Sequence, residues 1–98
     1  MATTEWITLR DCCSHYDIEI TFVESLQDYG LLELTNIQEV TYIHEDTIPR
    51  LEKFIRLHYD LNINLEGLDV IANLIEKVES LQREISLLRN NIYGTTRV

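Results

Sequence analysis

The sequence predicts a mainly α-helical domain: a small winged helix-turn-helix head carrying a long C-terminal coiled-coil helix. Three observations predict it. Two short amphipathic stretches, 8–15 and 19–29, lie a few residues apart, and Gly30 follows the second. A β-prone run, "LLELTNIQEVTYI", occupies 31–43. From Ile71 to Ile92, apolar residues then recur at alternating spacings of three and four, the signature of a helix with one continuous apolar seam.

The first helix, "TLRDCCSH", has Thr8 as a candidate cap and Leu9, Cys12 and Cys13 near one face. Tyr16-Asp17 reads as a turn. In the second helix Val23 and Leu26, three apart, are expected to face inward, and Gly30 supplies a left-handed stop. Two such helices make a helix-turn-helix candidate. In the β-prone run, Leu32, Leu34, Ile37 and Val40 to Ile43 favour strand, and Thr35-Asn36 is the expected turn of a two-stranded wing. Thr47 or Asp46 is the candidate cap of a third helix reaching to about residue 60, with Pro49 in its first turn.

Asn64 is the candidate cap of the last helix, expected over 64–93. Placing Val78, Ile85 and Ile92 at heptad position a leaves Leu74, Leu81 and Leu88 at d. β-branched residues at a with Leu at d suit two strands when the pair is parallel. A helix of ~25 residues is about 37 Å long and outreaches so small a head. A second copy of the chain, pairing antiparallel, is the expected cover for Ile71, Leu74, Val78, Leu81, Ile85, Leu88 and Ile92. A helix folded down onto its own core is the alternative. Residues 1–98 are read as one domain, with 1–60 forming the head and 64–93 the dimerisation helix.

The 98 residues are 45% apolar and 26% charged, within the globular range. No apolar run approaches the ~20 residues of a membrane span. The start, "MATTEWITLRDCC", lacks the basic and apolar segments of a secretory signal. A cytoplasmic protein is expected. Cys12 and Cys13 are the only cysteines and make no disulfide framework. His15, His44 and His58 are scattered without metal-ligand spacing. There is no Gly-rich phosphate loop and no Cys-His nucleophile pattern. Neither an enzyme nor a cofactor is expected.

Charge is the strongest functional signal. The net charge is −9, and residues 1–49 carry all of it: ten acids against Arg10 alone. Residues 50–98 hold seven acids and seven bases. A block asymmetry of this kind points to a partner of opposite sign, or to a solvated surface that serves solubility.

The order helix, helix, wing, helix, long helix resembles the DNA-binding half of MerR-type regulators. Gly30, Leu31 and Leu32 match the Gly-Leu-Leu that ends the family's first motif, and Val23 falls on its core leucine. "TYIHEDTIPRL" (41–51) and "NINLEGL" (62–68) echo its second and third motifs. The resemblance spans roughly residues 7–92. The departures fall where the family meets phosphate: an Arg is replaced by Glu24, a Glu-Arg pair by Gln27-Asp28, and the wing arginine by Thr41. Lys and Arg dominate DNA affinity, so this head is expected to repel DNA.

An acidic chain of this length, with a MerR-like head and no effector domain, resembles the chaperone modulator family CbpM. The stretch "VESLQREISLLRNNI" is similar to that family's C-terminal stretch. The resemblance implies binding to the J-domain of a DnaJ- or CbpA-like co-chaperone, and inhibition of its work with DnaK. It also implies an acidic surface, since a J-domain carries a basic helix. Phe22, Glu24, Asp28 and Tyr29 on the second helix are the expected partner-binding residues, with Phe22 either an aromatic anchor or partly tucked under the wing. The alternative is a MerR-type DNA-binding transcription regulator, which Arg50, Lys53 and Arg56 on the third helix favour.

Overall fold

The computed structural model describes residues 5–96. Arg97, counted among the C-terminal bases, lies outside the described residues. The element order is β1 (Trp6–Thr8), α1 (Leu9–Tyr16), α2 (Ile20–Asp28), β2 (Thr35–Ile37), β3 (Val40–His44), α3 (Ile48–Ile55) and α4 (Leu65–Thr96). A 3-10 turn (Glu45–Thr47) precedes α3, and a π-helical turn (Arg56–Asp60) prolongs it.

Thr8 ends β1 and caps α1, its hydroxyl accepting the Asp11 N–H at 3.2 Å. At the end of α2, Gly30 takes φ 75°. Its N–H reaches the Gln27 carbonyl at 2.8 Å, and the Leu31 N–H reaches Leu26 at 2.9 Å. That bond pair is a Schellman stop, and it turns Leu31 and Leu32 back into the core beside Leu26. The Gly-Leu-Leu signature is therefore one stop followed by two core plugs.

Leu31 and Leu32 are consumed by this packing, so the wing begins later than the sequence suggests. Its turn lies at Gln38-Glu39, not at Thr35-Asn36, with β2 and β3 paired from Thr35↔Tyr42 to Ile37↔Val40. Asn36 instead faces Thr41 across the ladder and donates to its hydroxyl at 3.1 Å. The wing is also not a lone hairpin. β1 pairs antiparallel with β3 through Trp6↔His44, Ile7↔Ile43 and Thr8↔Tyr42, giving a three-stranded sheet in the order β1-β3-β2.

The cap expected before α3 also differs. Neither Thr47 nor Asp46 caps it through its side chain; His44 Nδ1 accepts the Asp46 N–H at 3.0 Å and starts the 3-10 turn. Pro49 does occupy the first turn of α3. Asn64 caps α4 as expected, its Oδ1 accepting the Gly67 N–H at 2.8 Å.

The core joins Leu9, Cys12 and Cys13 of α1, Phe22, Val23 and Leu26 of α2, Ile43 of β3, Leu51 and Phe54 of α3, and Leu68 and Ala72 of α4. Tyr16 ties α1 to α3 by donating to Glu52 Oε2 at 2.6 Å. Past Ala72, α4 leaves the head. Its 32 residues correspond to about 48 Å, and the molecule measures 56 × 38 × 21 Å. Of the expected seam, Ile71 is half-buried at the base, whereas Leu74, Val78, Leu81, Ile85, Leu88 and Ile92 are exposed. The helix does not fold down onto its own head.

Candidate partner-binding surface

The four residues expected on one patch of α2 are divided between different surroundings. Val23 and Leu26 are fully buried, and Phe22 joins them at 7% exposure. Phe22 stacks on His58, with ring centroids 4.5 Å apart and planes 21° apart, and meets the edge of Tyr59 at 5.3 Å. Phe22 is therefore neither a protruding anchor nor tucked under the wing. It packs beneath the π-helical turn after α3. His58 is held there by a 2.8 Å hydrogen bond between Nδ1 and the Ile63 carbonyl.

Tyr29 is 38% exposed and points toward α4, where its hydroxyl donates to Glu66 Oε2 at 3.1 Å. That bond, with Asp69 nearby, raises the phenol above its ordinary pKa, because a carboxylate stabilises the protonated ring. Glu24 and Asp28 are both exposed. Four apart on a helix, they share one face, opposite the arc formed by Phe22, Val23 and Leu26.

Glu24 also borders a groove that the sequence did not reveal. Its walls are the start of α1 (Thr8, Leu9, Arg10), the first turns of α2 (Ile20, Glu24) and the wing (Glu39, Val40, Thr41). Ile20 is visible in the sequence as the residue one turn before Glu24. Glu39 and Val40 could not have been assigned to it, because the wing turn was placed three residues too early.

Arg50 and Lys53 of α3 and Arg56 of the turn after it are all exposed, but each has neighbours within the chain. Arg50 Nε donates to the Leu31 carbonyl, and its guanidinium lies 5.6 Å from the centre of the Phe54 ring. Arg50 thus holds the turn after α2. Lys53 and Arg56 are exposed and line clefts between α3 and α4 beside Asp46, Asp60, Glu76 and Glu79.

Cys12 and Cys13 are buried free thiols. Burial pushes both upward, and Cys13, with Cys12 and Glu24 near it, reaches about 11. Thiols held this high carry little nucleophilic thiolate at neutral pH. Among the described residues no group of three or more His, Cys, Asp or Glu is placed to hold a metal ion. Among them, no helix is long and apolar enough to cross a membrane.

Comparison with known proteins agrees with this architecture. The sequence model of the MerR HTH family regulatory proteins matches residues 7–90. The chaperone modulatory protein CbpM of Pseudomonas entomophila is 24% identical over 93 residues, covering 94% of this chain and 92% of that protein. A CbpM of Pseudomonas putida gives the same figures, 24% over 93 residues. The CbpM of Escherichia coli O1:K1 is 26% identical over 90 residues, covering 91% of this chain and 89% of that protein. The chain belongs to the MerR helix-turn-helix regulatory family and is similar over nearly its whole length to the CbpM chaperone modulators.

Proposed function

We propose that the protein is a co-chaperone modulator that binds the J-domain of a DnaJ- or CbpA-like protein and inhibits its work with DnaK. The acidic outer face of α2, where Glu24 and Asp28 stand exposed, carries this proposal. A helix in the reading position of a DNA-binding fold that presents carboxylates repels phosphate and attracts a basic protein helix. The similarity to proteins named as chaperone modulators supports the same reading. Glu24, Asp28 and Tyr29 supply the contacts, and Phe22 supports them from beneath rather than anchoring the partner.

The working form is a homodimer paired through α4, in the cytoplasm. The chain exposes 7355 Å², against about 5,800 Å² for a compact monomer of this mass. The apolar seam makes up part of the excess.

A MerR-type DNA-binding regulator is the second reading, favoured by the family fold. Against it stand the acidic α2 and the hydrogen bond that ties Arg50 Nε to the Leu31 carbonyl. The deciding experiment measures the DnaK ATPase stimulated by a J-domain protein, alongside a mobility shift on duplex DNA at physiological salt. The proposal expects the stimulated component to fall with added protein, and no shift. Unchanged stimulation together with a salt-steep shift would replace it with the second reading.

A further inference from the structure

Three surfaces could hold a basic partner, and they differ in shape and sign. The corner around Tyr29, Glu66 and Asp69 is acidic, but the Tyr29 hydroxyl is already bound to Glu66. The clefts between α3 and α4 are lined by Arg50, Lys53 and Arg56 together with acids. They run into the exposed seam of α4, which suits a second copy of this chain better than a cationic helix. The groove between α2 and the wing is the third.

It has a volume of roughly 510 Å³, and its lining joins aliphatic side chains to carboxylates with a single base among them, Arg10. Ile20 and Val40, 38% and 42% exposed, offer aliphatic contact from facing elements. Glu24 on α2 and Glu39 at the wing tip place carboxylates on opposite walls. All its lining residues fall within 1–49, a stretch of the sequence with ten acids whose one base, Arg10, itself stands in the groove wall. Two exposed aliphatic side chains flanked by two carboxylates, which outnumber the one base, complement an amphipathic helix that presents an aliphatic side chain and, one turn away, a Lys or Arg.

We propose that the α2–wing groove is the docking site for such a basic amphipathic helix, with Ile20 and Val40 making the apolar contact and Glu24 and Glu39 flanking its cation. The site rests on the proposed function above and deepens it. It moves the centre of contact from the α4 side of α2 to the wing side, and it gives the wing a direct role.

The test uses the full-length chain and two probes: the purified J-domain of a DnaJ-like protein, and a synthetic leucine–lysine amphipathic helix. Amide chemical-shift mapping should show both probes perturbing Ile20, Glu24 and residues 39–41. The double variant Glu24→Lys with Glu39→Lys should weaken both by roughly tenfold or more and flatten the salt dependence. Val40→Thr keeps a strand-forming side chain and should weaken them by a few-fold through faster dissociation. Glu33→Lys with Glu45→Lys makes the same change in net charge at exposed positions outside the groove. It should cost far less, and circular dichroism confirms that each variant is folded. If the J-domain binds but perturbs Tyr29, Glu66 or the α3–α4 clefts, the groove is wrong and the proposed function stands. If the peptide maps to the groove while the J-domain does not bind, the groove stands and the function falls. If neither binds, or both charge pairs act alike, the groove assignment is overturned. Perturbation of the groove by duplex DNA instead would overturn the cationic occupant.

Discussion

If the proposed pairing through α4 holds, replacing Leu81 and Leu88 by Asp should turn the dimer into monomers while leaving the head folded. Leu74, Val78, Leu81, Ile85 and Leu88 are each between 50% and 61% exposed in the single chain. Covering the remaining half of such a side chain stabilises association by about 1 kcal/mol. Over both chains these five positions contribute on the order of 10 kcal/mol gross. That stands against an association cost of about 4–15 kcal/mol, so the proposed dimer would not be overdetermined. Two substitutions per chain remove about 4 kcal/mol, a factor of about a thousand in the dissociation constant. Four carboxylates brought to the interface add a desolvation cost of the same sign. The buried core reaches only to Ala72 on α4, so neither leucine supports the head. Sedimentation equilibrium at tens of micromolar measures the mass, and far-ultraviolet circular dichroism measures the helix retained. An unmodified chain that sediments as a monomer at those concentrations, or a double variant that stays dimeric, would refute the seam as the pairing surface.

Leu68 is fully buried where α4 meets the head, so Leu68→Ala should cost about 2–5 kcal/mol by urea denaturation; a loss under half a kcal/mol would mean that α4 is not anchored there. Tyr16 is raised from 10.0 to about 12, first by its hydrogen bond to Glu52 and then by burial. A phenol with a raised folded-state value contributes stability that is complete below about pH 10 and is lost as pH rises through about 12. Melting between those limits should fall less steeply for Tyr16→Phe than for the unmodified chain, and parallel slopes would count against the bond. Gln38 and Glu39 hold φ 51° and 68° at the wing turn, where a two-residue hairpin of this hand favours Asn-Gly. Glu39→Gly should therefore raise stability by about 0.5–1 kcal/mol while weakening a basic partner; a variant both more stable and equally good at binding would remove Glu39 from the docking site.

Local pattern alone carried the two short helices, the stop at Gly30, the Asn64 cap and the heptad spacing of α4. Each depends on residues within a turn or two of one another, so periodicity and capping chemistry suffice. The sign of the head was legible for the same reason, since charge is a sum over residues and needs no coordinates. The tertiary structure decided what depends on distant partners. β1 has only three residues, too few for a pattern, and exists because Ile7 meets Ile43 across the chain. The wing turn moved to Gln38-Glu39 because the core claimed Leu31 and Leu32 first. Whether the inward arc of α2 extended to Phe22 was settled by His58 and Tyr59, some 36 residues away. Glu24 and Glu39 became neighbours across a groove only when the hairpin folded back beside α2. Helical spacing sorts residues by face, but only the packing of one element on another determines which face is buried and which opens into a groove.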